Sequence, residues 1–111
     1  MLIAMAETPA AIESIDEIAS VEGIDVIMIG TNDLAMASGC PQDFGNPKIQ
    51  KFYEKTALAC KKYNKWLGSG GVKDEKAAKN YIEMGANFFL AGQDIGFLLS
   101  ASKDRVDRLK S

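Results

Sequence analysis

The chain has 111 residues, 47% of them hydrophobic and 25% charged, with a formal net charge of −2 and no histidine. This is the composition of a folded domain or part of one rather than of a disordered segment. It carries no basic footprint for nucleic acid and no apolar run near the roughly 20 residues that span a bilayer, and the missing histidine removes the commonest general base and transition-metal ligand together.

Residues 2–6 form a short apolar run without alternation, the pattern of a strand buried on both faces in a parallel sheet. Met1 to Ala6 has no basic leader and is too short for a signal peptide. Glu7 ends the run. A helix follows from Pro9, capped by Thr8, with Ile12, Ile15, Ile18 and Ala19 on one face. Gly23 stops it, and residues 26–29 make the second strand. Gly30-Thr31-Asn32-Asp33-Leu34 then leads into a helical turn over residues 34–38 and a loop through Gly39-Cys40-Pro41 to Gly45. Ile49, Phe52, Tyr53, Thr56, Cys60 and Tyr63 form a longer helical stripe, opened by Pro47 and preceded by Asn46. Its lysines, among them Lys48, Lys51 and Lys55, read as a solvated face.

Trp66-Leu67 is a weaker third strand, followed by Gly68-Ser69-Gly70-Gly71. A helix begins at Asp74, turns Ala78, Tyr81 and Ile82 inward, and stops at Gly85. Residues 88–91 are the fourth strand. Leu98, Ala101, Arg105, Val106 and Leu109 mark a last helix, with Asp94 as its cap. Cys40 and Cys60 have neither metal-ligand spacing nor a disulfide framework and read as cytosolic thiols; with Trp66 they are taken as packing residues.

One stretch is echoed. Gly23-Ile24-Asp25-Val26-Ile27-Met28-Ile29-Gly30 is matched by Gly85-Ala86-Asn87-Phe88-Phe89-Leu90-Ala91-Gly92. Each copy ends a helix with glycine, runs an apolar strand and closes with glycine and a nearby aspartate, Asp33 or Asp94. That is the repeating unit of an α/β protein. The order β-α-β-α-β-α-β-α is half of an eight-stranded β/α barrel, and a small open α/β sheet fits the same pattern. Residues 1–111 are read as one partial domain.

In either architecture, function gathers at the carboxyl ends of the strands, where Glu7, Asp33, Ser69 and Asp94 stand. Glu7 and Asp33 end successive strands, about 4.8 Å apart in a parallel sheet, so both carboxylates open into one mouth. Two bare carboxylates so close repel unless a cation lies between them. A hard divalent ion that keeps several waters, Mg2+ or Mn2+, suits two carboxylates without His or Cys. The alternative is capping, Glu7 for the helix at Pro9 and Asp33 for the Leu34 turn. The Gly30 to Leu34 stretch points backbone N–H groups at the same mouth, as a small anion receptor or as a plain β-to-α turn. Gly68-Ser69-Gly70-Gly71 matches no phosphate-binding pattern and reads as close backbone packing.

Ala6-Glu7-Thr8, Ile15-Asp16-Glu17-Ile18-Ala19, Val21-Glu22-Gly23-Ile24-Asp25, Ile29-Gly30-Thr31-Asn32-Asp33-Leu34 and Gly85-Ala86-Asn87-Phe88-Phe89, in this order and spacing, resemble the carboxyl-terminal half of the HpcH/HpaI aldolase family. These are class II pyruvate aldolases related to the citrate lyase β chain. The resemblance implies four βα units equal to the carboxyl-terminal half of a TIM (β/α)8 barrel. It implies a metal-dependent carbon–carbon lyase that cleaves or forms 4-hydroxy-2-oxo acids. Mg2+ or Mn2+ would sit on Glu7 and Asp33, with pyruvate chelating it through keto and carboxylate oxygens. The pyruvate carboxylate would also meet the backbone amides of Asn32 and Asp33, and the metal would stabilise the enolate that adds to, or departs from, an aldehyde.

An acyl-CoA lyase of the citrate lyase β type is the related alternative; a non-catalytic half-barrel remnant or assembly piece is the other. The family usually has proline or alanine where Thr31 and Asn32 stand, a change that leaves backbone contacts intact and bears on substrate preference. Its enolate-stabilising arginine and its base, a histidine in many members, belong to the amino-terminal half of the barrel. Here the arginines are Arg105 and Arg108, both in the last helix. The expectation is a cytoplasmic fragment or one piece of a split enzyme, with no catalytic residue beyond the metal ligands and little or no aldolase activity alone. Its open strand edges predict a homo-oligomer or a complementary half-barrel chain.

Overall fold

The computed structural model describes all residues from Met1 to Ser111. Strand β1 (Ile3–Ala6) leads to two short helices, α1 (Pro9–Glu13) and α2 (Ile15–Ala19). Strand β2 (Val26–Gly30) runs directly into α3 (Thr31–Ala37) and, after a loop, α4 (Pro47–Tyr63). Strand β3 (Trp66–Gly70) precedes α5 (Glu75–Glu83), and β4 (Ala86–Phe89) precedes α6 (Asp94–Lys110). The strands make one sheet in the order β1-β2-β3-β4, parallel throughout. Each strand therefore lies beside its predecessor after a helical crossover, as the apolar runs and intervening stripes require.

Local chemistry sets the helix ends. Thr8 Oγ1 accepts the Ala11 N–H at 3.1 Å, so Thr8 caps α1 ahead of Pro9. Asn46 caps α4 through the Lys48 N–H at 2.9 Å, and Asp74 caps α5 through the Lys76 N–H at 3.0 Å. Gly85, with φ of 112°, turns the chain out of α5 into β4.

Alternation along the strands sorts their side chains into two faces. Ala6, Ile27, Ile29 and Leu67 point toward the helices and join a core of 17 residues with Ile12, Ile15, Ile49, Tyr53 and Tyr81. Val26, Met28 and Gly30 point the other way. On that face Gly68 lets β3 approach closely, since a methyl there would sit 3.1 Å from Met28 Cα. β1 presents Ile3 and Met5 on it, both exposed, and then Glu7.

Several expectations change. The first helix is broken at Ser14, whose ψ of 14° separates α1 from α2. α3 begins at Thr31 rather than Leu34, so the polar residues of the turn are already helical. β4 starts two residues earlier than residues 88–91. On α5 the inward pair is Ala77 and Tyr81, while Ile82 is exposed. Trp66 opens β3 with its side chain 58% exposed, so it is not a packing residue of the core. α6 has no buried residue, and Ile95, Phe97, Leu98 and Leu99 are 56–64% exposed along it. Gln93, not Asp94, holds its N-cap position; Asp94 is the first helical residue and accepts the Ile95 N–H at 2.7 Å. Cys40 and Cys60 are free thiols. No helix is long and apolar enough to cross a membrane.

Candidate metal centre

The register of β1 on β2 pairs Ala6 with Ile29. The next step along both strands places Glu7 beside Gly30, at the carboxyl end of the sheet. The contact is tight: a methyl at Gly30 would sit 2.9 Å from Glu7 Cγ and 3.3 Å from Glu7 Oε2. Only a hydrogen at Gly30 leaves room for the Glu7 side chain to lie across the end of β2. Asp33 is the third residue of α3 and rises from the first turn above that same strand end.

The two carboxyl groups meet. Hydrogen bonding with Asp33, followed by loss of solvent and repulsion from Asp33, raises the Glu7 pKa above the ordinary glutamate value. The capping alternative fails for both. Thr8 caps α1, and Asp33 lies inside α3, whose N-cap position is Gly30 with no side-chain cap. Neither carboxylate has a protein cation: the ion pairs are Met1 N with Asp25 at 3.9 Å and Lys62 with Asp16 at 3.0 Å.

No three side chains among His, Cys, Asp and Glu come together anywhere in the chain. The site therefore offers two carboxylate donors and leaves other coordination positions to water or substrate oxygens. That donor set fits Mg2+ or Mn2+, which dehydrate reluctantly, and does not fit a closed structural zinc site.

Asn32 lies between Thr31 and Asp33 in the first turn of α3, where backbone N–H groups have no acceptor within the helix. Gly71 faces it from the end of β3. A methyl at Gly71 would sit 3.3 Å from Asn32 N, and the residue has φ of +76°. Glycine at this position keeps the Asn32 amide uncovered from the β3 side.

The remaining strand-end candidates separate from this mouth. Ser69 is completely buried on the helix side of β3, with Oγ 2.6 Å from the Tyr53 hydroxyl. Asp94 is exposed and engaged with its own helix start.

A family model described as HpcH/HpaI aldolase/citrate lyase matches residues 1–101. The chain belongs to that family. It is 30% identical over 110 residues to 5-keto-4-deoxy-D-glucarate aldolase of Klebsiella pneumoniae, covering 98% of this chain and 42% of that protein. It is 33% identical over 110 residues to 2-keto-3-deoxy-L-rhamnonate aldolase of Salmonella paratyphi B, covering 99% of this chain and 41% of that one. The crystal structure of an HpcH/HpaI aldolase from Desulfitobacterium hafniense superposes with a TM-score of 0.82 at 28% identity, covering 98% of this chain and 42% of that chain. The chain thus spans about 42% of the length of such relatives, and its four βα units correspond to half of a β/α barrel rather than to a small open sheet.

Sequence reading named the strand-end pair but not everything around it. Gly30 as the surface under Glu7, Gly71 beside Asn32, and a hydroxyl contact from Tyr53 to the turn were all beyond sequence reading. The first two depend on strand register. The third joins residues 22 positions apart, and Tyr53 reads in sequence as one more member of a helical stripe.

Proposed function

We propose that this chain carries the metal- and 2-oxo-acid-binding part of a class II pyruvate aldolase, a metal-dependent lyase that cleaves or forms 4-hydroxy-2-oxo acids. The observation that carries the reading is the Glu7–Asp33 pair. Two adjacent carboxylates stand at the carboxyl ends of neighbouring parallel strands, spent on neither a cap nor an ion pair, in a chain of an aldolase family. Glu7 and Asp33 would hold Mg2+ or Mn2+. When bound, the ion supplies Lewis-acid stabilisation of negative charge on the keto oxygen of pyruvate.

The chain's own groups orient the substrate. The N–H groups of Asn32 and Asp33 would donate to the carboxylate of the 2-oxo acid at the opening of α3. Gly30 gives Glu7 its place across β2, and Gly71 leaves the approach to Asn32 clear. The aldehyde partner lies beyond these contacts. Residues 1–111 act as a single partial barrel domain. The chain has no histidine, and Arg105 and Arg108 lie exposed on α6. The groups that move protons and stabilise the enolate are therefore assigned elsewhere, and little aldolase activity is expected from this chain alone.

That absence also favours a second reading, a non-catalytic half-barrel that serves assembly. An acyl-CoA lyase of the citrate lyase β type would use the same carboxylate pair. Carbon-13 relaxation of pyruvate by Mn2+ in the presence of the chain distinguishes them: the aldolase reading expects enhanced relaxation that excess Mg2+ reverses, and the assembly reading expects none. Turnover of a 4-hydroxy-2-oxo acid at the rate of a complete aldolase would contradict the incomplete site.

Association is part of the proposal. β1 and β4 each have one unpaired edge, and the apolar residues of α6 are uncovered. The partner is a second copy or a complementary half-barrel chain, and the free thiols suit a cytoplasmic setting. Light scattering at micromolar concentration should give a mass above the 12.0 kDa of one chain; a sharp monomer peak would contradict self-association.

A further inference from the structure

Three hydroxyl groups are sealed between β2, β3 and α4. The Tyr53 hydroxyl lies 2.7 Å from Thr31 Oγ1 and 2.6 Å from Ser69 Oγ. All three residues are 0% exposed. Thr31 Oγ1 in turn donates to the Ile29 carbonyl at 3.4 Å.

Proton counting gives the chain a direction. Ser69 Oγ has no partner but Tyr53, whereas Thr31 has the Ile29 carbonyl as a further acceptor. All three protons are used only if Ser69 donates to Tyr53, Tyr53 to Thr31, and Thr31 to Ile29. The reverse direction would leave the Ser69 proton buried without an acceptor, which is costly away from water. The chain therefore starts on β3, passes through a helix side chain and ends on the Ile29 carbonyl of β2, just before Gly30.

Tyr53 is itself held from behind. Its ring stacks on Tyr81 at 3.7 Å with an interplanar angle of 6°, and the Tyr81 hydroxyl donates to the Phe44 carbonyl. Burial raises the Tyr53 pKa, so its hydroxyl stays protonated and serves as a fixed link.

We propose that Tyr53 is a positioning residue for the strand-end site, fixing through Thr31 the turn from which Asn32 and Asp33 project. Thr31 is the first residue of α3, two before Asp33, and follows the glycine against which Glu7 lies. No side chain caps α3, so the Thr31 hydroxyl makes the one side-chain hydrogen bond between its first turn and the helix layer, beside the apolar packing of Leu34. The inference rests on the metal-site reading of Glu7 and Asp33 and adds what sets their separation.

The test is Mn2+ binding by electron paramagnetic resonance on the full chain, with Tyr53→Phe, Thr31→Val and Thr56→Val, each measured well below its melting temperature. Tyr53→Phe keeps the ring and its stack while removing the link. Thr56→Val removes a buried hydroxyl one turn further along the same helix, bonded only to Phe52 O, and is the control for general destabilisation. Tyr53→Phe and Thr31→Val should each weaken Mn2+ about tenfold, and the double variant no more than either alone. Their amide resonances at Asn32 and Asp33 should shift, while Thr56→Val binds Mn2+ as the wild type does. Wild-type affinity in both Tyr53→Phe and Thr31→Val overturns the inference while leaving the metal site standing. Failure of the wild type to bind Mn2+ removes the metal-site reading and the inference with it. Should Tyr53→Phe not fold, Thr31→Val decides alone.

Discussion

Glu7 lies so close to Gly30 that a methyl group there would come within 2.9 Å of Glu7 Cγ. The glycine that ends β2 is thus not only a turn residue; it is the surface on which one proposed metal ligand rests. Gly30→Ala should displace the Glu7 carboxylate sideways. The obstructed atom belongs to a movable side chain, so the fold should lose less than about 1 kcal/mol. Mn2+ affinity should fall at least about tenfold, worth about 1.4 kcal/mol. Calorimetric titration beside a thermal melt checks both, and unchanged Mn2+ affinity would refute the role given to Gly30.

Gly71→Ala separates substrate contact from metal contact. The residue has φ of +76° and faces Asn32 N. The substitution should cost about 1–2 kcal/mol of stability from the left-handed backbone alone. Because the methyl would also cover the Asn32 amide, pyruvate should bind the Mn2+-loaded chain several-fold more weakly, with Mn2+ affinity kept within about twofold. Equal pyruvate affinity in the two proteins would place the carboxylate elsewhere.

The raised Glu7 pKa has a defined sign. In the metal-free chain the folded state holds this proton more tightly than the unfolded state does, chiefly through the hydrogen bond with Asp33. Its contribution to stability is fully present below the ordinary glutamate pKa of 4.5 and is lost as pH rises through the raised value. Metal binding runs the other way, since the ion must displace the proton. In chelator, the stability of the wild type relative to Glu7→Gln should decline as pH rises above the ordinary glutamate range, while Mn2+ affinity of the wild type climbs. Urea midpoints and Mn2+ titrations across that range measure both trends.

Cys60 gives a check independent of the site. Burial raises its thiol pKa to about 11, and its Sγ lies 3.8 Å from the Trp66 carbonyl. At pH 8 roughly one molecule in a thousand carries the thiolate, so alkylation should be slow. Iodoacetamide should modify the half-buried Cys40 first and reach Cys60 only as denaturant unfolds the chain. Equal native rates at the two cysteines, read by peptide mass, would contradict the packing of α4 on β3.

What sequence showed and what it hid divide along a physical line. Strands β1 and β2 and the caps at Thr8, Asn46 and Asp74 follow from neighbours in the chain, and they form where such local signals place them, while β4 begins two residues early. Adjacency of Glu7 and Asp33 was legible too, because successive parallel strands joined by helical crossovers lie side by side. The start of α3 was not, since Thr31, Asn32 and Asp33 show no apolar periodicity; the turn is secured by a hydroxyl from a distant helix. On α5 Tyr81 was rightly read as inward, but Ala78 and Ile82 were named beside it where the buried neighbour is Ala77. The exposed apolar length of α6 carries an ordinary helical stripe, and nothing in such a stripe says whether its neighbour lies in the same chain.

The central claim is that Glu7 and Asp33 together bind one divalent cation. Titration of Mn2+ into the wild type and into Glu7→Ala/Asp33→Ala, followed by the loss of the free-ion resonance, tests it directly. The account predicts a single saturable site in the wild type and its loss in the double variant, with the circular dichroism of the two proteins alike. Equal binding by both would contradict it.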